Sequence, residues 1–317
     1  MTGDLKTLKN DYLEYLEIER NRSRRTVENY GRYLDRFIQF SKASTIDQVT
    51  EDGIRQYRLY LNRFHDDAGA PLKHVTQNYH IIALRNFLKY LAKRGIQAVA
   101  PERIELGRQE ERQVTFLERG ELDRLLDAPA LLRSEELRTG KKGNELGTLR
   151  DRAMLATLFS TGMRVSELCS LDRDMVNGRQ GEISVRGKGG KVRVVFLSER
   201  AKDDLSQYLT KRPDVDEALF IRIPKSGTFG KDDDLRLTPR TVQRLVKKYA
   251  TQAGIIGKKV SPHTLRHSYA TDLLRNGADI RSVQAMLGHS SVTTTQIYTH
   301  VTDTQLREIH RKFHGKK

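Results

Sequence analysis

Cysteine is nearly missing from this chain: Cys169 is the only one in 317 residues. No disulfide can close within the chain and no cysteine cluster can supply metal ligands, which fits a reducing compartment. Long apolar runs are missing as well. The most apolar stretch, Ala153 to Phe159, is far too short to span a bilayer. The segment Met1 to Arg20 is amphipathic and charged, without the apolar core of a signal peptide. The expectation is a soluble cytoplasmic protein with no membrane partner. The sequence also shows no internal repeat and no low-complexity tract.

What is abundant is positive charge. Lys and Arg total 57 against 41 Asp and Glu, a formal net charge of +16. Such an excess favours a polyanionic partner, and nucleic acid comes first, although ribosomal, membrane-surface and merely soluble basic proteins share the bias. Hydrophobic residues make up 37% and charged ones 31%, a polar balance that still permits a folded core. The length allows two domains, each with a core of its own.

Residues 1–100 read as helices. Leu5, Leu8, Tyr12, Leu16 and Glu19 begin one stripe. A second opens after Ser23, a candidate N-cap, and places Val27, Tyr30, Leu34, Phe37 and Ile38 on one face. Thr50 is placed to cap a third helix carrying Ile54, Tyr57 and Leu61, and a fourth runs from about Leu72 to Lys93, stopped by Gly95. Lys, Arg, Gln and Asn fill the outward positions. That basic outer face is either a surface for a DNA backbone or an ordinary solvated one.

Residues 101–113 are polar with little periodicity and read as a linker. Residues 114–317 form a mixed second domain. A helix is expected over Glu118 to Leu126, a basic loop over Arg133 to Gly147, and an apolar helix capped by Thr148 and ending at Gly162. Glu182 to Arg186 and Val192 to Phe196 read as strands joined by the tight turn Gly187-Lys188-Gly189-Gly190. Helices follow Ser198, Thr238-Pro239 and Ser261-Pro262, and another spans Asp279 to Leu287 before Gly288. A last one carries Leu306, Ile309 and Phe313 on one stripe. The fold expected is mainly α with a small antiparallel β-sheet: a helical bundle followed by a mixed α+β domain.

Six positions in the second domain form a set: Arg164, Lys188, His263, Arg266, His289 and Tyr298. Their chemistry suits transfer of a phosphodiester. Its charge grows in the transition state, and two forked guanidiniums, Arg164 and Arg266, match that load better than ammonium groups. Arg164 follows a glycine helix stop and can project from a turn, while His263 and Arg266, three apart, share one helix face. A tyrosine hydroxyl, pKa about 10, can bond to phosphorus but needs help to lose its proton. Nearby cations would lower that pKa, and neutral His263 could take the proton. Lys188, at the tip of the glycine turn, can return a proton to the departing oxygen, and His289 can donate to a non-bridging one. Glu167 is spaced to hold Arg164 or His263 in place.

Each residue alone has a plainer reading: a surface arginine, a packed histidine, a packing tyrosine. His263 and His267, four apart, could form a metal pair, but no glutamate stands where a zincin helix has one. The glycine turn lacks the spacing of a phosphate loop, which argues against ATP.

Thr161-Gly162-Met163-Arg164-Val165-Ser166-Glu167-Leu168, Ser261-Pro262-His263-Thr264-Leu265-Arg266-His267-Ser268, Leu287-Gly288-His289-Ser290 and Ile297-Tyr298-Thr299-His300 resemble the signature boxes of the tyrosine recombinase (phage integrase) family. The plan is most similar to the Xer recombinases, over nearly the whole chain. The resemblance implies a SAM-like core-binding domain, then a catalytic domain that cuts DNA through a 3′-phosphotyrosyl link to Tyr298. It implies no cofactor, neither metal nor ATP, because the covalent link retains the phosphodiester's energy. It also implies a clamp on double-stranded DNA and a tetramer, homomeric or with a related recombinase, exchanging strands through a Holliday junction. The C-terminal helix would dock on a neighbouring protomer through Leu306, Ile309 and Phe313, or in cis. The enzyme would then be cytoplasmic and nucleoid-associated, serving chromosome-dimer resolution or a mobile element. Gly140 to Gly147 and Lys225 to Asp234 look longer than a minimal Xer-like enzyme needs: surface insertions, or contacts for DNA or a regulatory protein.

Two rivals stand beside this reading. A type IB topoisomerase shares the chemistry; the compact helical first domain and the apolar helix after Tyr298 argue against it. A DNA-binding accessory protein would need none of the catalytic set, and all six positions are filled.

Overall fold

A computed structural model describes residues 3–66, 69–107, 115–140, 144–176, 181–187, 190–224 and 235–288. Lys188, His289, Tyr298 and the segments 225–234 and 289–317 lie outside the described residues. Among the described residues there are eleven α-helices and one two-stranded antiparallel sheet, the mainly α class the sequence leads one to expect. No described helix is long and apolar enough to cross a membrane. The chain divides into two compact units, Met1–Glu111 and Arg112–Lys317.

The first unit holds α1 (Leu5–Ile18), α2 (Arg24–Ser41), α3 (Glu51–Arg63) and α4 (His74–Lys93). Its caps are the side chains that the sequence marks. Ser23 Oγ accepts the Thr26 amide at 3.4 Å, and Thr50 Oγ1 accepts the Gly53 amide at 3.0 Å. The stripes Leu5, Leu8, Tyr12, Leu16 and Ile54, Tyr57, Leu61 are buried in one core with Leu34, Phe37, Leu84 and Leu88. Within it the Tyr57 hydroxyl pairs with His80 Nδ1 at 3.0 Å. Burial, then the Arg36 charge, pushes His80 down to about 4, so it is neutral at pH 7. Ile104 also belongs to this core, so residues just past α4 fold back onto the bundle.

The second unit is organised around α6 (Glu145–Thr161), whose Ala153, Met154, Leu155 and Leu158 are fully buried. It carries apolar residues all round because neighbours cover it on several sides. These are α5 (Arg119–Arg138), α8 (Glu199–Lys211) and α10 (Pro262–Arg275). Then come α7 (Val165–Cys169), α9 (Pro239–Gln252) and α11 (Ile280–Leu287). Strands β1 (Glu182–Arg186) and β2 (Val192–Phe196) pair antiparallel with Val185 opposite Arg193. Cys169 lies in this core, its thiol pushed up to about 11 by burial.

The structure corrects two local expectations and adds one layer that the sequence reading did not include. Helix α5 runs on to Arg138 instead of stopping near Leu126, so much of Arg133 to Gly147 is helical; Ala128 and Pro129 bury on its inner side, Arg133 is half-buried and Arg138 is exposed. Asn144, not Thr148, caps α6: Asn144 Oδ1 accepts the Gly147 amide at 2.9 Å, and Thr148 sits within the first turn. A buried extended layer, Ala218 to Ile221 with Leu235 and Leu237, went unread because it is too short to show alternation. Bonds from Arg222 N to Leu235 O (2.6 Å) and Leu237 N to Phe220 O (3.0 Å) join the described stretches 218–224 and 235–237.

Candidate active site

The site begins where α6 stops. Gly162 has φ of +57°, the left-handed conformation that releases the α6 C-terminus, and a Cβ there would collide with the Tyr269 ring. Met163 then buries, and Arg164, extended at φ −74° and ψ 151°, caps α7. Its side chain is 31% exposed, so the guanidinium stands at the surface of a rigid turn.

Glu167 is the hub, and it is only 4% exposed. Its carboxylate accepts the Arg164 amide at 2.7 Å and Arg164 Nη1 at 2.9 Å. It also accepts Arg193 Nη1 at 2.9 Å and Nη2 at 2.7 Å, a bidentate fork. Burial would raise its pKa, but the Arg193 bonds, the Arg164 amide, the Arg193 charge and the Arg164 side-chain bond outweigh burial and hold it at about 2.

Arg266 projects from α10 and donates to the carbonyls of Gly162 at 2.7 Å and Leu287 at 2.6 Å. Both are helix C-terminal carbonyls, left without intrahelical partners and bearing the negative end of the helix dipole. The end of α11 takes two more arginines. The Met286 carbonyl accepts Arg193 Nε at 3.0 Å, and the Gly288 carbonyl accepts Arg164 Nη2 at 3.3 Å. Three successive carbonyls therefore each receive a different guanidinium. With two arginines on one carboxylate and Arg266 on the carbonyls beside them, the cluster keeps a net positive charge suited to an anion.

His263, one turn before Arg266, is exposed on the same helix. The protein around it, then the Arg266 and Arg164 charges, lowers its pKa, so the ring is neutral at pH 7 and can accept a proton. Half-buried His267 is pushed to about 4 by burial, then by His263 and Arg266. Among the described residues no three His, Cys, Asp or Glu side chains are grouped to hold a metal.

The structure thus brings together Arg164, Glu167, His263 and Arg266. Lys188, His289 and Tyr298 lie outside the described residues, but their chain neighbours do not. Gly187, just before Lys188, sits where a Cβ would be 3.5 Å from Arg193 Nη1, and Gly288, just before His289, accepts Arg164.

Two contributors were missed from sequence: Tyr269, which packs on Gly162, and Arg193. Alternation in Val-Arg-Val-Val-Phe makes Val192, Val194 and Phe196 the apolar face, yet these are 61%, 45% and 50% exposed. Arg193 takes the inner face beside Val195, drawn in by Glu167. A charged residue following the turn of a hairpin that carries a candidate acid was the available signal.

A family model described as "Phage integrase family" matches residues 116–305, and "Phage integrase, N-terminal SAM-like domain" matches residues 10–95. The chain is 34% identical to the tyrosine recombinase XerD of Oceanobacillus iheyensis, over 96% of this chain and 97% of that one. It is 35% identical to the XerD of Staphylococcus saprophyticus, over 98% and 99%. Among solved structures, XerH site-specific recombinase bound to a palindromic difH substrate, a post-cleavage complex, aligns with a TM-score of 0.68 at 25% identity, over 92% of this chain and 80% of that one. The chain therefore belongs to the phage integrase family, as an Xer-like tyrosine recombinase that cleaves and rejoins DNA through a phosphotyrosine intermediate.

Proposed function

We propose that Tyr298 is the nucleophile of a site-specific strand exchange in which Arg164 and Arg266 hold the scissile phosphate. The Tyr298 oxygen attacks phosphorus, the bond to the 5′ oxygen breaks, and a 3′-phosphotyrosyl link forms. Neutral His263 takes the tyrosine proton, Lys188 gives one to the departing 5′ oxygen, and His289 donates to a non-bridging oxygen. A free 5′ hydroxyl of a partner strand then attacks the phosphotyrosine and restores a phosphodiester, so no ATP is consumed. The observation that carries the reading is the convergence of Arg164 and Arg266 on the helix ends at Gly162 and Leu287-Gly288, with lowered-pKa His263 beside them. Preorganised cations of this kind stabilise charge developing in the transition state.

Residues 1–100, a helical unit with a basic outer face, act as the DNA-binding domain; residues 114–317 act as the catalytic domain, joined to it through 101–113. The enzyme works on double-stranded DNA in the cytoplasm, at the nucleoid, as a tetramer of this chain or with a related recombinase.

The test uses nicked suicide DNA carrying a candidate site, incubated with wild type and Tyr298→Phe, without metal or ATP. A slow-migrating protein–DNA adduct on a denaturing gel from wild type alone is the expected result. An adduct from both would move the nucleophile elsewhere. Tight binding with no adduct from either, at a site a relative recombines, would leave a DNA-binding accessory protein.

A further inference from the structure

We propose that Arg193 is a positioning residue for phosphate activation, acting through Glu167 on Arg164. The inference deepens, and rests on, the reading of Arg164 as a phosphate ligand. Arg193 itself is turned away from solvent, its side chain 12% exposed, and all three of its donor nitrogens are engaged: two on Glu167 and Nε on the Met286 carbonyl.

Consider Glu167 without it. A buried carboxylate facing Arg164 alone would form a neutral pair, draw the guanidinium inward, and leave Arg266 to carry the net charge the phosphate needs. A second guanidinium changes the balance. Arg193 satisfies both carboxylate oxygens with its own fork, so Glu167 can orient Arg164 while the cluster stays cationic. The same side chain ties three elements to one carboxylate. It stands on β2, the return strand of the hairpin; Glu167 lies on α7; and the Met286 carbonyl ends α11 immediately ahead of Leu287 and Gly288, which hold Arg266 and Arg164. A shift of about 1 Å in such a frame can cost roughly 100-fold in rate.

A lysine cannot replace this role fully, since a point charge cannot make the fork and reach Met286 as well. Glutamine removes the charge and leaves Glu167 with Arg164 alone. Neutralising Glu167 as well should then release Arg164, because exchanging a buried ion pair for neutral residues is often tolerated. A merely structural role gives the opposite result, with the double variant no better than the single.

The experiment measures duplex affinity and single-turnover adduct formation separately, on a nicked duplex that wild type cleaves. It uses the full chain as wild type, Arg193→Gln, Arg193→Lys, Glu167→Gln/Arg193→Gln and Arg164→Lys, each checked by thermal melting. Arg193→Gln is expected to bind DNA as wild type does and to cleave roughly 10- to 100-fold more slowly. The added Glu167→Gln should recover part of that rate. Wild-type cleavage by Arg193→Gln, or a double variant no faster than the single, overturns the proposal. If Arg193→Gln does not melt cooperatively, Arg193→Lys decides: slowed cleavage at unchanged binding supports it, and an unchanged rate overturns it. Near-normal cleavage by Arg164→Lys is a separate failure, that of the underlying phosphate-ligand reading.

Discussion

Arg266 donates to the carbonyl of Gly162 at 2.7 Å, which ties the helix carrying His263 to the stop that launches Arg164. The bond makes two distant stretches of sequence into one rigid frame. It also means that the backbone conformation of one glycine sets the position of two arginines. Four expectations follow from this frame and its charges.

Gly162→Ala should be costly for two separate reasons. The left-handed backbone disfavours any Cβ, and this one meets the Tyr269 ring. Strain and overpacking together should destabilise the second unit by roughly 2–4 kcal/mol. Urea unfolding followed by a probe in that unit measures it. A loss below about 1 kcal/mol would mean that Tyr269 moves aside and the turn relaxes.

Glu167 links the site to acid stability. Its pKa falls from an ordinary 4.5 to about 2 in the folded chain, so the folded state prefers the charged form. The stabilisation is fully present above about pH 4.5 and is lost as pH falls through 2, and it is on the order of 3 kcal/mol. The unfolding free energy of wild type minus that of Glu167→Gln should therefore be largest near neutrality and shrink across that acid window. A difference independent of pH would sink this account of the carboxylate.

His263 predicts a pH–rate profile. Its pKa is lowered by its surroundings and by the two arginines, so it is neutral across the physiological range. Single-turnover adduct formation should be flat around pH 7 and fall only below the ordinary histidine value of about 6.5. The His263→Gln variant should lose that acid limb along with most of its rate. An inflection at or above 6.5 would remove His263 as the base.

Charge also sets the response to salt. With a net charge of +16, phosphate contacts by Lys and Arg should release counterions on binding. Duplex affinity, measured by anisotropy over a salt series, should fall steeply on a log–log plot. A flat response would exclude extensive contact with the DNA backbone.

Much of this was legible in the chain itself. Helix periods, caps at Ser23, Thr50, Ser198, Thr238 and Ser261, and the two strands are local properties, set by side-chain spacing and by short polar groups reaching nearby amides. The motif arginines and His263 were legible for a related reason, because their chemistry lies in their own side chains. Tertiary structure decided what depends on distant partners. The extension of α5 to Arg138 needed a core for Ala128 and Pro129 to cover. Arg193 reads from sequence as the polar face of a strand, and only a buried Glu167 26 residues away turns it inward and Val192, Val194 and Phe196 out. Likewise the three carbonyls of Met286, Leu287 and Gly288 carry no sequence signal, since every residue has one. They become an anchor for three arginines because the fold ends the described helix there, where carbonyls lack an i+4 donor within the helix.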